Sequence, residues 1–359
     1  MTSVIQESEG GAAATGSLLR FFALSMVALT FLFLINNVLT FWWGWPGLLD
    51  FFGHQGWFGV SPPRKALEAG AVTLGWMQFA LYGAPIIAIG ALVAMTPRRR
   101  LQSDSQILSY LAAYIVRSAF WGVLLIGAVD LVISFLRVEN ILEQIIGDAL
   151  TSELGRTSFR GAYVHYPLIA LGFLIAYFTK TLGFIWFALL IVLVELLIVI
   201  ARFVFSYEQV FMGDLVRFWY AALFLFASAY TLVEEGHVRV DILYTRFSPR
   251  GKAWANCMGS ILFGAPLCWI ILTRGLWTKA TLINAPLLSY EVSQSGYGMY
   301  VKYLMAGFLL VYAVSMMVQF CSSFLSNAAV LLGEAEPAAA DEPASTRGSG
   351  SIPPETSGD

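Results

Sequence analysis

Charged residues and histidines are scarce in this chain. Of its 359 residues, 12% are Asp, Glu, Lys or Arg, and only three are histidines. His54, His165 and His237 fall in three separate segments, so no two of them are expected to ligate a haem or a metal across the core. We therefore expect no cofactor and no enzymatic activity. The formal net charge of −2 gives no electrostatic reason to expect binding to nucleic acid.

Cysteine is equally rare. Cys257, Cys268 and Cys321 lie inside or beside apolar runs and form no CxxC pair, which favours packing roles over a disulfide framework or a metal site. The sequence also contains no GxSxG, HExxH, P-loop or CxxCH motif. These absences leave no recognisable catalytic centre.

Long apolar runs make up most of the sequence. Hydrophobic residues make up 58% of the chain, and a helix that crosses a bilayer needs about 20 predominantly apolar residues. Eight runs can be read in this way, so we predict an all-α integral membrane protein in which the fourth span is the shortest. Gly264-Ala265-Pro266 in the seventh run is a candidate for the kind of helix break that marks transporter sites, but we favour a plain kink. The runs are Leu19–Trp43, Ala71–Met95, Ile107–Leu136, Tyr163–Phe178, Gly183–Phe205, Leu215–Val233, Trp254–Trp277 and Val301–Leu325.

Two dense groups of basic residues predict the orientation. The PRRR sequence at residues 97–100 and the arginines and lysine of residues 239–252 lie an even number of spans apart, hence on the same face, which we place in the cytoplasm. Both termini are then cytoplasmic, including the segment 1–18. The opposite side receives the interfacial tryptophans Trp42, Trp43, Trp45 and Trp57.

Several polar residues fall inside the predicted spans. Because an ionisable group in hydrocarbon is costly, Asp130 and Glu195 should face protein or water and have partners. They could be ion or proton sites, or they could hold helices together by pairing with Arg117, with Arg202 or with a second subunit, and we favour the latter interpretation. Asn36 and Asn37 are expected to form interhelical hydrogen bonds.

The pattern around Asp130 recurs 65 residues later in the chain. Trp121, Asp130 and Arg137 correspond to Trp186, Glu195 and Arg202. In both spans the acid and the arginine are seven residues apart and share a helical face. Duplication of a helix or a hairpin is one explanation of this similarity.

The segment 234–250, EEGHVRVDILYTRFSPR, concentrates charge between two apolar spans. Apolar residues at helical spacing, with arginines at the edge, predict a short amphipathic interfacial helix. His237 and Asp241 are one turn apart and could pair. Ser248 followed by Pro249 is a start signal for the next helix. We expect an anchor and a corner here rather than a catalytic site.

The chain from residue 334 to residue 359 differs in composition from everything before it. It is rich in Pro, Ala, Gly, Ser and acidic residues and cannot bury a core. We therefore predict a disordered acidic tail.

Residues 200–250 and a later stretch carry a family pattern. ARFVFSYEQ, GDLVRFWYAALFLFASAYTLVEEGHVRVDILYTRFSPRGK and SYEVSQSGYGMYVKYLMAGFLL resemble the small permease (DctQ-type) subunit of tripartite ATP-independent periplasmic (TRAP) transporters. The most specific part is the run from Gly236 to Asp241, together with Arg202, Glu208 and Lys302. The resemblance covers roughly residues 181–328, the last four spans, and leaves residues 19–180 as an additional four-span membrane domain.

The resemblance implies a subunit of a bacterial inner-membrane transporter that does not itself bind solute. Such a subunit contacts membrane lipids, scaffolds a large permease and helps a periplasmic solute-binding protein to dock, for sodium-coupled uptake of an organic acid or similar solute. Sodium ions are expected to be bound by the large subunit.

The resemblance also suggests interface and scaffold residues. Arg202, Glu208 and Arg217 would act near the outer rim, Lys302 belongs to the same set, and Glu234, His237, Arg239 and Asp241 would fix the inner corner. The residues alone leave an alternative, a self-sufficient carrier or channel with a polar path along Arg117, Asp130 and Glu195.

Overall fold

The computed structural model describes residues 2–180, 184–233, 244–292 and 298–334. These residues form helices and connecting turns, and none of them is in a β-strand. The α-helices are α1 (Thr2–Phe41), α2 (Leu48–Gln55), α3 (Ala69–Met95), α4 (Leu101–Val138), α5 (Leu142–Ile146), α6 (Asp148–Leu154), α7 (Thr157–Arg160), α8 (Tyr166–Phe178), α9 (Phe184–Phe205), α10 (Val210–Val233), α11 (Pro249–Gly259), α12 (Ala265–Leu276), α13 (Asn284–Ser289) and α14 (Lys302–Leu331).

Eight helical stretches in the described residues are long and apolar enough to cross a membrane, which confirms the predicted all-α membrane architecture. The fourth stretch begins at Thr157, six residues earlier than the run predicted from Tyr163. In it, α7 and α8 are joined by a π turn, Gly161–His165. Only glycine fits at the start of this turn, because a Cβ on Gly161 would lie 2.4 Å from the Tyr290 ring.

A second π turn interrupts the seventh span. Residues Ser260–Gly264 connect α11 to α12, and Pro266 follows at the start of α12. A π turn beside a proline is a common place for a helix to bend. The turn therefore lies where the sequence predicts a kink.

The two ends of the helix bundle differ in composition. We call the end that carries Trp42 and Trp43 the tryptophan end, and the end that carries Arg98 to Arg100 the arginine end. The start of α1 and the end of α14 both lie at the arginine end, where the Leu101 backbone N–H donates to Glu334 Oε2 at 2.9 Å.

The centre of the bundle is formed by α4 and α14, which approach each other closely at small residues. Ser105 Oγ donates to the Ser322 carbonyl at 2.8 Å, and Ser322 Oγ donates to the Ser105 carbonyl at 2.7 Å. Small and hydroxyl side chains let membrane helices pack at short range and bond to one another.

Two more helices pack closely against α4. A Cβ added to Gly172 of α8 would lie 2.6 Å from the Gly122 backbone nitrogen, and one added to Gly127 would lie 2.1 Å from Trp219 Nε1 of α10. The third and fourth spans therefore share one core with the sixth and eighth.

At the arginine end, a buried ion pair fixes α1 to the connection between α3 and α4. Arg20 is 1% exposed, and its Nε lies 2.7 Å from Asp104 Oδ2. The same guanidinium donates to the Thr96 carbonyl at 2.6 Å, and Arg99 contacts the other oxygen of Asp104 at 2.7 Å. Part of the PRRR sequence thus has a structural role as well.

The segment predicted to form an amphipathic helix is described only from Tyr244 onwards, where Tyr244–Arg246 form a single 3-10 turn, and its residues 234–243 lie outside the described residues. The start signal that follows is confirmed. Ser248 Oγ accepts a hydrogen bond from the Gly251 backbone N–H at 3.2 Å, and Pro249 is the first residue of α11.

Glu334 is the last described residue, and its carboxylate satisfies a backbone N–H at the start of α4. The first N–H groups of a helix have no intrahelical partner, so we expect Glu334→Ala to lower the free energy of unfolding by about 1 kcal/mol. Glu334→Gln keeps an acceptor oxygen and should lose less. Removal of residues 335–359 should leave the melting temperature in detergent unchanged, and a large drop on that truncation would contradict the predicted disordered tail.

Candidate functional site

A buried charge cluster lies in the tryptophan half of the bundle, centred on Asp130 of α4. The Asp130 side chain is 0% exposed. Its carboxylate accepts hydrogen bonds from Arg160 Nη1 at 2.9 Å, from His165 Nε2 at 3.1 Å and from the Tyr300 backbone N–H at 2.9 Å. Three donors, two from the fourth span and one from the entrance to α14, therefore satisfy a charge that would otherwise be costly to bury.

Arg160 is the cation of the cluster, and it is also 0% exposed. Its Nε donates to the Leu154 carbonyl at 3.0 Å, and its guanidinium carbon lies 4.2 Å from the centre of the Tyr300 ring. A guanidinium over an aromatic face gains cation–π attraction when it is removed from water. Its Nη2 makes no hydrogen bond within the described part of the chain.

His165 links Asp130 to α14. A carboxylate can only accept, so His165 Nε2 donates to Asp130, and His165 Nδ1 is hydrogen-bonded to the Tyr303 hydroxyl at 2.8 Å. The imidazole and the Tyr303 ring also stack, with centroids 5.8 Å apart. Both side chains are 0% exposed, which makes this a fully enclosed chain of hydrogen bonds.

A second acid holds the segment that enters α14. Asp214 Oδ2, in the first turns of α10, accepts from the Met299 backbone N–H at 3.1 Å. Asp130 accepts from the next residue along, Tyr300, and Arg137 reaches the Tyr300 hydroxyl. Neither Arg160 nor Asp214 stood out in the sequence. Arg160 lies in what reads as a polar loop, and Asp214 lies just before a predicted span.

Arg117 and Glu195 lie outside this cluster. Arg160, rather than Arg117 or Arg202, pairs with Asp130. Arg117 lies thirteen residues before Asp130, about 20 Å along α4, and its buried Nε has no hydrogen bond to the described residues. Glu195 is exposed on the outward side of α9. Identical spacing in the two spans thus gives a buried acid in one and an exposed acid in the other.

Asn36 and Asn37 make interhelical hydrogen bonds, as predicted. Asn37 Nδ2 donates to the Leu276 carbonyl of α12 at 2.6 Å. Asn36 Oδ1 accepts from Gln78 Nε2 of α3 at 2.8 Å. These bonds attach α1 to helices on both of its sides.

Ion pairs lie around the tryptophan end. The exposed Arg217 pairs with the buried Asp214 at 3.3 Å, whereas Arg202 and Glu208, 3.2 Å apart, are both exposed. Lys302 Nζ lies 2.7 Å from Glu291 Oε1. Such exposed pairs contribute little to stability in water, which leaves them available for contacts with other chains.

A tyrosine joins the ends of α4 and α9 at the same rim. The Tyr207 hydroxyl donates to Glu139 at 2.6 Å. Partial burial and the neighbouring Glu139 carboxylate raise the pKa of Tyr207 to about 12. Tyr207 therefore stays protonated as a donor at every physiological pH.

Residues 190–329 match the family model for the DctQ component of tripartite ATP-independent periplasmic transporters. Over these residues the chain is similar to the DctQ family. No curated protein and no solved structure is significantly similar to the chain. The predicted resemblance to the TRAP small permease is thereby confirmed over these residues.

The DctQ segment begins within α9 and ends two residues before the end of α14. The buried cluster therefore crosses its boundary, because Asp130, Arg160 and His165 precede the segment, whereas Tyr300 and Tyr303 belong to it. Four other residues singled out in the sequence, Glu234, His237, Arg239 and Asp241, lie in the DctQ segment but outside the described residues.

Proposed function

We propose that this chain, as the small membrane subunit of a TRAP transporter, forms a fixed scaffold for a large permease and helps a periplasmic solute-binding protein to dock. The match of residues 190–329 to the DctQ family carries this proposal. It includes coupling to a sodium gradient, with sodium bound by the large subunit, and an organic acid or similar compound as the solute.

The location in a bacterial inner membrane, with both termini in the cytoplasm, belongs to the same proposal. In that orientation the tryptophan end faces the periplasm. The exposed pairs Arg202–Glu208 and Lys302–Glu291 are then accessible to the binding protein.

The arrangement of the charged residues favours a scaffold over an independent carrier. A carrier brings polar groups together at a cavity that opens to either side. Here Asp130 is enclosed by Arg160 and His165, whereas Glu195 points away from the bundle. Arg117 is about 20 Å from Asp130 along α4. The three side chains do not form a continuous polar path among the described residues.

Reconstitution tests the proposed function. We expect liposomes that contain this chain alone to show no sodium-driven solute accumulation, because its buried charges are paired and enclosed. Accumulation should appear when the large permease and the solute-binding protein of the same transporter are added. Transport by the chain alone, at a rate comparable with the complete system, would overturn the scaffold role.

A further inference from the structure

Glu195 occupies an unusual position for an ionisable residue. It is exposed, and it lies ten residues before the end of α9, about 15 Å from that end. It makes no hydrogen bond or ion pair to the described residues. A charged or polar side chain at this depth of a bilayer costs on the order of 3 kcal/mol when nothing satisfies it. The lipid tails around an isolated α9 would offer no hydrogen-bond donor.

The surroundings of Glu195 form a continuous outward face. The helix α9 turns Phe187 and Ile191 toward the bundle, whereas Val192 and Phe203 are 59% and 78% exposed. Arg202 lies two turns from Glu195 on the same side of the helix and is also exposed. The helix thus contacts the rest of the chain along one stripe only.

The neighbouring helix extends this face. On α10, Arg217, Tyr220 and Phe224 form an exposed stripe, and the Tyr220 and Phe224 rings contact each other at 4.6 Å. In helical-wheel projections of α9 and α10, which are antiparallel neighbours, Glu195 and the stripe on α10 lie on the same outward side of the helix pair. Arg217 lies seven residues into α10, about 10 Å from its start, so a cation accompanies the acid at nearly the same depth.

We propose that this face of α9 and α10, the Glu195 face, binds a transmembrane helix of the large permease subunit, which presents a hydrogen-bond donor to the Glu195 carboxyl. The proposal rests on the proposed function and deepens it by naming the surface. A partner helix with a donor at mid-depth satisfies Glu195, which lipid does not, whereas Arg217 already pairs with Asp214 at 3.3 Å within the chain. Tyr220 and Phe224 supply an exposed aromatic contact area next to Arg217 on α10.

Photo-crosslinking in the native membrane tests which surface is covered. Val192 lies one turn from Glu195 on the Glu195 face, and Leu197 lies on the opposite outward side of α9. Both are 59% exposed, so they form a matched pair. With p-benzoylphenylalanine in place of Val192, we expect an adduct with the large permease in at least about fivefold higher yield than with the same replacement of Leu197.

The outcomes separate this inference from the proposed function. If the large permease co-purifies with the chain but the two positions crosslink to it equally, or Val192 crosslinks only to lipid or to a second copy of this chain, the Glu195 face is not the interface and the proposed function stands. If no large permease co-purifies with the unmodified chain, the proposed function and the Glu195 face as its interface are both wrong.

Substitution of Glu195 itself provides a second test. A leucine at this position suits lipid better than a carboxyl group, so Glu195→Leu should accumulate at the normal level. The large permease that co-purifies with it should nevertheless fall by about fivefold, the effect of one interhelical hydrogen bond, and by less with Glu195→Gln, which still accepts. Undiminished co-purification of Glu195→Leu would overturn the proposal.

Discussion

Replacement of Arg160 by methionine should prevent most of this protein from accumulating in the membrane. The change leaves the Asp130 carboxylate buried without its cation, and removal of one partner of a buried ion pair typically costs about 3–5 kcal/mol. Domains are commonly stable by only about 5–15 kcal/mol. The measurement is the amount of monodisperse protein after detergent extraction, together with the melting temperature of what remains.

Two further variants separate this effect from a general loss of a charge. Arg202→Met removes an arginine from an exposed pair and should cost less than about 1 kcal/mol. The double variant Asp130→Asn with Arg160→Met removes both buried charges and should recover part of the protein that Arg160→Met loses. An Arg160→Met protein as abundant and as stable as Arg202→Met would show that the buried cluster does not hold the bundle together.

Hydropathy was sufficient to find the spans, because each span is a long apolar run. In lipid, such a run satisfies its own backbone N–H and C=O groups by forming a helix. Local signals also gave the start of α11, since the Ser248 cap and Pro249 act within one turn of the chain. These features depend on neighbouring residues only. They could be predicted without any knowledge of how the helices pack.

The partner of Asp130 could not be found in this way. Arg160 belongs to the polar stretch TSELGRTSFR, which reads as a loop in the sequence. In the structure Arg160 is helical and precedes Gly161, whose lack of a side chain leaves room for the Tyr290 ring. That contact joins residues more than a hundred positions apart in the chain. The length of the fourth span is thus set by tertiary packing.

The opposite environments of Asp130 and Glu195 have a related cause. In a soluble protein an apolar face marks the core, but the lipid-facing side of a membrane helix is as apolar as its packed side. The matching spacing around the two acids therefore carries no information about which helix lies at the centre. Packing places α4 at the centre and α9 at the edge, so one acid is paired within the chain and the other faces outward.

The additional spans are part of the structural core rather than a separate attachment. Ala112 and Val116 of α4 are 2% and 1% exposed, and α4 packs on both α10 and α14 of the DctQ segment. Asp130 also holds Tyr300 at the entrance to α14. In the absence of α4, this side of α10 and α14 would expose polar groups, including Ser322, to lipid.

We therefore expect residues 181–359 expressed alone to be degraded or to aggregate, although they contain the whole DctQ segment. Co-expression of residues 1–180 and 181–359 as two chains should restore a stable, co-purifying complex, since the break falls in the short connection between α8 and α9 and leaves the contacts of α4 intact. Arg160→Met in the first chain should then abolish the co-purification, whereas Arg202→Met in the second should not. Normal accumulation of residues 181–359 alone, with a melting temperature equal to that of the complete chain, would show that the DctQ segment folds without the first four spans.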